Sequence, residues 1–298
     1  MRRLIVIGTR GSKLALWQAN NLKEELKSLK LETEIKIIKT KGDQIQNIGF
    51  DKMEGKGFFT KEIEDALLDR KIDIAVHSLK DMPTGKIPGL VIGGLSERED
   101  PSDLLIINKE AVDKSKPLKI KPSAVIGTSS VRRKSQIMNI LKECTVADLR
   151  GNVPTRIKQL QQGDYDAIII ASAGVNRLKI DLEEFQTIRL HPREFVPAPG
   201  QGVVAYQCRE DDMEIRKIIR NVHHKDVAER SNVERKVMSQ MEGGCQVPLG
   251  VYCEKDSNNY YHVFAAWQKS EDEPLRFIQL SQSTTLNLAE RVVENLKN

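Results

Sequence analysis

The sequence predicts an α/β protein built from parallel sheets with helices on both faces, the pattern occurring twice and followed by a small α+β region. Three observations carry this. Apolar strand-sized runs alternate with segments of helical spacing, which is the signature of βαβ units. The run Ile7-Gly8-Thr9-Arg10-Gly11-Ser12 is echoed by Ile126-Gly127-Thr128-Ser129-Ser130-Val131. After about Asp226 the alternation gives way to one helix, three strands and a last helix.

The elements follow in order. Residues 4–8 are β-branched and apolar, and Leu14, Leu16, Trp17, Leu22, Leu26 and Leu29 then recur at roughly helical spacing before Ile35, Ile37 and Ile38 resume a strand. Thr60 is placed to cap a helix through Ile63, Ala66, Leu67 and Leu68, with strands at 72–76 and 90–94. The pattern restarts with a strand at 124–126, a helix capped by Ser129 or Ser130 and running toward Leu141, and a strand at 145–147. A helix capped by Asn152 and a buried strand at 167–171 complete it. Turn-forming stretches at 97–102 and 195–202 read as crossings between domains. Beyond 226 come a helix through Met241, strands near 247–253, 260–267 and 276–280, and a helix from about 285.

The chain has 298 residues, 30% of them charged and 5% aromatic, with a formal net charge of +5. Its length calls for two or three domains, and its 39% hydrophobic content excludes disordered and collagenous classes. The apolar run after Met1-Arg2-Arg3 stops at Gly8, too short for a secretory signal, and no later run approaches membrane-spanning length. A cytoplasmic protein is expected. Cys144, Cys208, Cys245 and Cys253 form no CxxC pair, so neither a disulfide framework nor a zinc site is indicated.

Between Thr128 and Lys158 seven basic residues face only Glu143 and Asp148, so the whole net charge sits in this tract and the rest of the chain balances. Such a tract is either a solvated basic face or a site for polyanions, whether nucleic acid or a small polycarboxylate. The scarcity of aromatics argues against a base-stacking surface. Both echoing turns put small hydroxyl residues where a strand's carboxyl end meets a helix N-terminus, a position that favours anions.

Two further segments carry chemistry. Residues 73–83 form a buried strand that delivers His77, Ser78, Lys80 and Asp81 into a loop ended by Pro83. In a cleft, the Asp81 carboxylate could move protons and stabilise a developing cation; on a surface it would merely pair with Lys80. His77 fits local packing better than metal binding, because no second ligand stands at a suitable spacing. The run Glu242-Gly243-Gly244-Cys245-Gln246-Val247-Pro248 presents a thiol beside two glycines that leave it open to a bulky partner, with no activating histidine near. The other three cysteines read as small buried hydrophobes. Lys52, Lys56 and Lys61 flank a glycine-containing loop that matches no phosphate-binding motif.

Residues 10–19 (Arg-Gly-Ser-Lys-Leu-Ala-Leu-Trp-Gln-Ala), 77–83 (His-Ser-Leu-Lys-Asp-Met-Pro), 127–133 (Gly-Thr-Ser-Ser-Val-Arg-Arg), 149–156 (Leu-Arg-Gly-Asn-Val-Pro-Thr-Arg) and 242–250 resemble the signature blocks of the porphobilinogen deaminase family. The blocks stand in the family's order across nearly the whole chain. Glu54 departs from the glycine that often precedes Gly55-Lys56-Gly57 in the family.

The resemblance implies two periplasmic-binding-protein-like domains with mixed, mainly parallel sheets facing a cleft, and a C-terminal α+β domain. Their expected bounds are 1–97 with 198–220, 98–197 and 221–298. It implies a monomeric transferase of tetrapyrrole and haem biosynthesis that joins four porphobilinogen molecules, loses ammonia at each step, and releases hydroxymethylbilane by hydrolysis. The cofactor implied is a dipyrromethane primer held by a thioether to Cys245, with Asp81 catalytic. Lys80, Asp81, Thr128, Ser129, Ser130, Arg132, Arg133, Arg150 and Gly151 match cofactor-binding positions. Arg10, Ser12, Lys56, Ser78, Arg150, Arg156 and Arg177 match substrate-binding positions. No metal, nucleic acid or membrane is implied. Six rings with two carboxylates each carry about twelve negative charges, which suits arginine, whose planar fork pairs bidentately with carboxylate. The competing expectation is a non-catalytic two-domain binding protein for a small polycarboxylate, since fold alone never fixes function.

Overall fold

The computed structural model describes residues 3–40, 60–241 and 247–298. In chain order the first elements are β1 (Ile5–Thr9), α1 (Lys13–Ser28), β2 (Thr33–Ile37), α2 (Lys61–Leu68), β3 (Ile74–Ser78), β4 (Leu90–Leu95) and β5 (Asp103–Asn108). Next come β6 (Val125–Gly127), α3 (Val131–Ile140), β7 (Thr145–Ala147), α4 (Val153–Gln161), β8 (Ala167–Ala171), α5 (Ser172–Leu178) and β9 (Phe185–Leu190). The chain ends with β10 (Val204–Arg209), α6 (Met213–Arg220), α7 (Lys225–Gln240), β11 (Leu249–Lys255), β12 (Tyr261–Trp267), β13 (Arg276–Gln282) and α8 (Leu288–Lys297).

The chain divides into two compact units, residues 1–99 with 202–232 and residues 100–201 with 233–298. The sheet of unit 1 has the order β2-β1-β3-β10-β4 and that of unit 2 the order β7-β6-β8-β5-β9. In each, four strands run one way and one is reversed: β10 is antiparallel to β3 and β4, and β5 to β8 and β9. The sheets are therefore mixed and mainly parallel, with one strand order used twice. The reversed strand is in both cases the first one after the chain passes from one unit to the other.

The echo between residues 7–12 and 126–131 has a steric basis. A Cβ on Gly8 would stand 2.3 Å from Ile72 Cδ1, and one on Gly127 would stand 2.8 Å from the Tyr165 ring. Each glycine closes its strand under a side chain packed across it. Ser12 and Ser130 then cap the helices that follow, accepting from Ala15 N and Arg133 N. Asn152 caps α4 in the same way through Thr155 N. Thr60 precedes α2 but its hydroxyl makes no cap bond; its carbonyl receives Ile63 N and Glu64 N instead. The last helix begins at Leu288, behind Asn287 in a left-handed conformation.

In unit 1, Ile5, Ile7, Ile74, Val76 and Tyr206 pack against Leu22 and Leu26 of α1 and Ile215 and Ile219 of α6. In unit 2 the two faces of the sheet bury separate clusters, one around Leu105, Ile107 and Ile126 and one around Ile106, Ile168 and Ile170. That two-sided burial explains the unbroken apolar runs of β5 and β8. The three-stranded antiparallel sheet β11-β12-β13 buries one face under the end of α7 and α8 through Val237, Met241, Leu288, Val292 and Leu296.

Candidate functional site

In unit 1 the parallel pairing of β1 with β3, Ile7 opposite Ile74 and Gly8 opposite Ala75, brings residues 10–12 and 78–81 to one carboxyl edge of the sheet. Leu79–Asp81 form a single 3-10 turn, anchored where Leu79 N donates to Val203 O at 2.9 Å. Asp81 is exposed on this turn, while Lys80, Ser78 and Arg10 are half-buried. Gln18, buried in α1, donates from Nε2 to Ser78 Oγ at 2.9 Å.

Beneath this turn His77 is 6% exposed, and its Nε2 meets Gln207 Oε1 at 3.2 Å. Burial pushes the imidazole down to about 4, the nearby Arg10 charge adds to that, and the bond to Gln207 opposes it. The ring is therefore neutral at physiological pH. With Gln207 Oε1 as acceptor, the proton sits on Nε2. His77 packs and positions, as the sequence suggested.

In unit 2 the corresponding edge gathers residues 128–130 after β6, residues 148–156 after β7 and residues 172–177 after β8, because β6 pairs in parallel with both neighbours. Ser129 Oγ donates to Leu149 O at 2.9 Å and accepts from Leu149 N at 3.0 Å, locking the two loops together. Thr128 Oγ1 accepts from Ser130 N at 3.2 Å. Gly151 has φ +101 and its carbonyl accepts from Arg156 Nε at 2.8 Å. Arg150 lies 3.6 Å from Asp148, and Arg177 is buried in α5.

The two adjacent arginines at the start of α3 are placed differently from a pair of open carboxylate hooks. Arg132 and Arg133 are 4% and 6% exposed, and both reach Asp103, which is fully buried. Ser12, Ser129 and Ser130 likewise have local backbone partners, so their first role is to shape the turns. Cys245 and Lys56 lie outside the described residues. Cys144, Cys208 and Cys253 are all buried, and burial pushes the Cys208 thiol up to about 11. None of these three is a poised nucleophile. No metal-ligating cluster occurs among the described residues.

Sequence reasoning missed Asp103, Gln18 and Gln201. Asp103 opens the run Asp103-Leu104-Leu105-Ile106-Ile107, and a carboxylate heading a fully apolar strand is a signal that it has cationic partners. Gln18 follows Trp17 on the apolar stripe of α1, where a polar side chain needs a partner. Gln201 donates to Pro101 O and Asp103 Oδ1 at 2.8 and 2.9 Å, a pairing that spans about a hundred residues of sequence.

Residues 5–217 match the family profile "porphobilinogen deaminase, dipyromethane cofactor binding domain", and residues 228–271 match the family's C-terminal domain. The chain is 44% identical over 270 residues to a probable porphobilinogen deaminase of Methanocaldococcus jannaschii, covering 91% of this chain and 89% of that protein. It is also 44% identical over 258 residues to the porphobilinogen deaminase of Oceanobacillus iheyensis, covering 86% and 82%. Among solved structures, a probable amino-acid ABC transporter extracellular-binding protein from Bacillus subtilis is similar at 12% identity and a TM-score of 0.43, covering 74% of this chain and 90% of that one. At that distance the architecture rests on this chain's own strand order. The profile spans most of the chain, and the identity to both relatives extends across nearly their whole length, so this chain belongs to the porphobilinogen deaminase family.

Proposed function

We propose that this chain condenses four porphobilinogen molecules stepwise on a covalently held dipyrromethane and releases the linear tetrapyrrole by hydrolysis. The single observation that carries this is the match of residues 5–217 to the family's dipyrromethane-binding domain. The described residues fit such a group. A polycarboxylate needs cations and fixed N–H or O–H donors: the carboxyl edge of the unit 2 sheet carries Arg132, Arg150, Arg156 and Arg177, and that of the unit 1 sheet carries Arg10 and Lys80.

We assign the thioether to Cys245, since the other three thiols are buried. The bound dipyrromethane supplies the free α-carbon on which the chain grows. Each condensation breaks the aminomethyl C–N bond of one porphobilinogen, forms one C–C bond, and releases ammonia and one ring proton. Asp81 is the carboxylate positioned to stabilise the cationic charge that develops as nitrogen leaves and to accept the ring proton. Its exposure on a turn held by Leu79 N and flanked by Ser78 leaves it open to substrate. Neutral His77 below the turn adds no competing positive charge beside Arg10.

Lys80, Thr128, Ser129, Ser130, Arg132, Arg133, Arg150 and Gly151 shape or contact the primer site. Arg10, Ser12, Lys56, Ser78, Arg156 and Arg177 serve the incoming substrate and growing chain. The three-domain division 1–97 with 198–220, 98–197 and 221–298, a cytoplasmic location and a monomeric state belong to the same reading. Intact mass under denaturing conditions tests it: the expected result is an excess of two pyrrole units that is absent in Cys245→Ser. An unmodified chain that still makes tetrapyrrole would overturn the tether.

A further inference from the structure

Asp103 heads β5 with 0% exposure and accepts four hydrogen bonds. Arg132 Nη1 donates to Oδ2 at 2.8 Å, while Arg133 donates to Oδ1 from Nε at 3.1 Å and from Nη2 at 2.7 Å. Gln201 Nε2 adds a fourth at 2.9 Å. Burial alone would raise the Asp103 carboxyl, but the two guanidinium charges hold it far below the carboxylate range, so it is ionised at any working pH.

The two arginines are not equivalent. Arg133 has all three guanidinium nitrogens engaged, the third through Nη1 to Ile169 O at 3.0 Å. Arg132 uses Nη1 alone, shared between Asp103 and Val196 O at 2.9 Å, and its Nε and Nη2 donate to no described residue. Two guanidiniums face one carboxylate, which leaves positive charge in surplus, and of the two only Arg132 keeps its whole Nε–Nη2 edge without a partner among the described residues, since Arg133 engages every one of its nitrogens. Burial and the neighbouring Arg133 charge both disfavour the Arg132 cation, and Asp103 offsets them only in part. A buried cation with an open bidentate edge is a site for a single carboxylate.

We propose that Asp103 is the positioning residue of this site: it fixes Arg133 as an inert anchor and sets the charge and orientation with which Arg132 receives one carboxylate of the polypyrrole. This deepens the functional reading above and rests on it. Arg133 thereby acts through Asp103 and not by direct contact.

The test varies the charge of the group and reads salt dependence, because a buried ion group that only held the fold would not change how salt screens ligand binding. The quantity is the ratio of KM for porphobilinogen at about 0.5 M and about 0.05 M salt, taken on folded protein. Intact mass gives the fraction carrying the two-pyrrole adduct. Asp103→Asn raises the net charge of the group and should increase the ratio at least about twofold while lowering the adduct fraction. Arg133→Gln removes the surplus charge and should shrink the ratio by a similar factor. Gln201→Met removes one donor without changing charge and should lower kcat with the ratio unchanged. If Asp103→Asn does not fold, Arg133→Gln alone decides. An unchanged ratio in every folded charge variant overturns the proposal, even where the adduct and tetrapyrrole formation confirm the enzyme itself.

Discussion

Gly8 and Gly127 lie at the carboxyl ends of strands that hold the same place in two sheets of the same order, Gly8 one residue before the end of β1, and each strand leads through a hydroxyl-rich turn into a serine-capped helix. What stands beside them differs. In unit 1 the turn after the neighbouring strand β3 carries an exposed carboxylate, Asp81, over a neutral buried histidine. In unit 2 the helix after the turn begins with two arginines whose charge is partly cancelled from below by Asp103. One frame thus carries an exposed carboxylate at its rim and the other carries fixed cations in its floor. The contrast teaches that the shared turn geometry supplies placement, while the chemistry comes from whichever strand lies next to it.

The largest expected effect breaks the carboxylate side of this contrast. Asp81→Asn should lower ammonia release by about a hundredfold to ten-thousandfold, the usual scale for a positioned acid or base, while the adduct mass persists. Turnover close to the parent's would remove the assignment of Asp81.

Next is acid stability, which should distinguish the buried groups of the two units. His77 has a folded value of about 4, below its ordinary 6.5, so the unfolded chain binds the proton first and stability is lost as pH falls through that window. At most roughly 3 kcal/mol is involved. Denaturant midpoints from pH 7 to pH 4 should fall less steeply in His77→Gln than in the parent. The Asp103 carboxyl is depressed as well, but its contribution is lost mainly below its ordinary value of 3.8, so the upper part of this window reports His77.

A smaller effect compares the glycines themselves. The Gly8 contact is with the terminal methyl of Ile72, which can rotate away, whereas the Gly127 contact is with the ring of Tyr165, whose hydroxyl donates to Asp148 O. Overpacking costs about 1–3 kcal/mol, and Gly127→Ala should fall at the upper end although its contact is the longer one. Thermal unfolding of both variants checks the order. The smallest effect is the capping bond: Ser12→Ala and Ser130→Ala should each lower stability by about 1 kcal/mol, and a much larger loss would mean that either serine does more than cap.

Much of this frame was legible in the sequence because it is local. The strand ends around Gly8 and Gly127, the caps at Ser12, Ser130 and Asn152, and the buried strand carrying His77 each follow from a few adjacent residues. The reversed strands were not. β10 is buried throughout, yet it contains Gln207 and Arg209, polar residues whose partners include His77 and Asp73, about 130 residues away in the sequence. The partners of Asp103 were hidden for the same reason, since they lie 29, 30 and 98 positions along the chain. The arginine tract could be recognised as cationic from composition alone. Which of its members faces inward depends on β5, a strand whose place in the sheet no local pattern encodes.

The placement of β10 also bears on how the protein comes off the ribosome. The sheet of unit 2 is drawn entirely from residues 103–190, a continuous stretch. That of unit 1 is completed only when residues 204–209 insert between β3 and β4. Until then those two strands, synthesised much earlier, present unpaired edges, the kind that invite association between nascent chains. A polypeptide truncated before Val204 should therefore hold a complete second five-stranded sheet and an aggregation-prone, incomplete first one, so the sheet begun first is the one finished later.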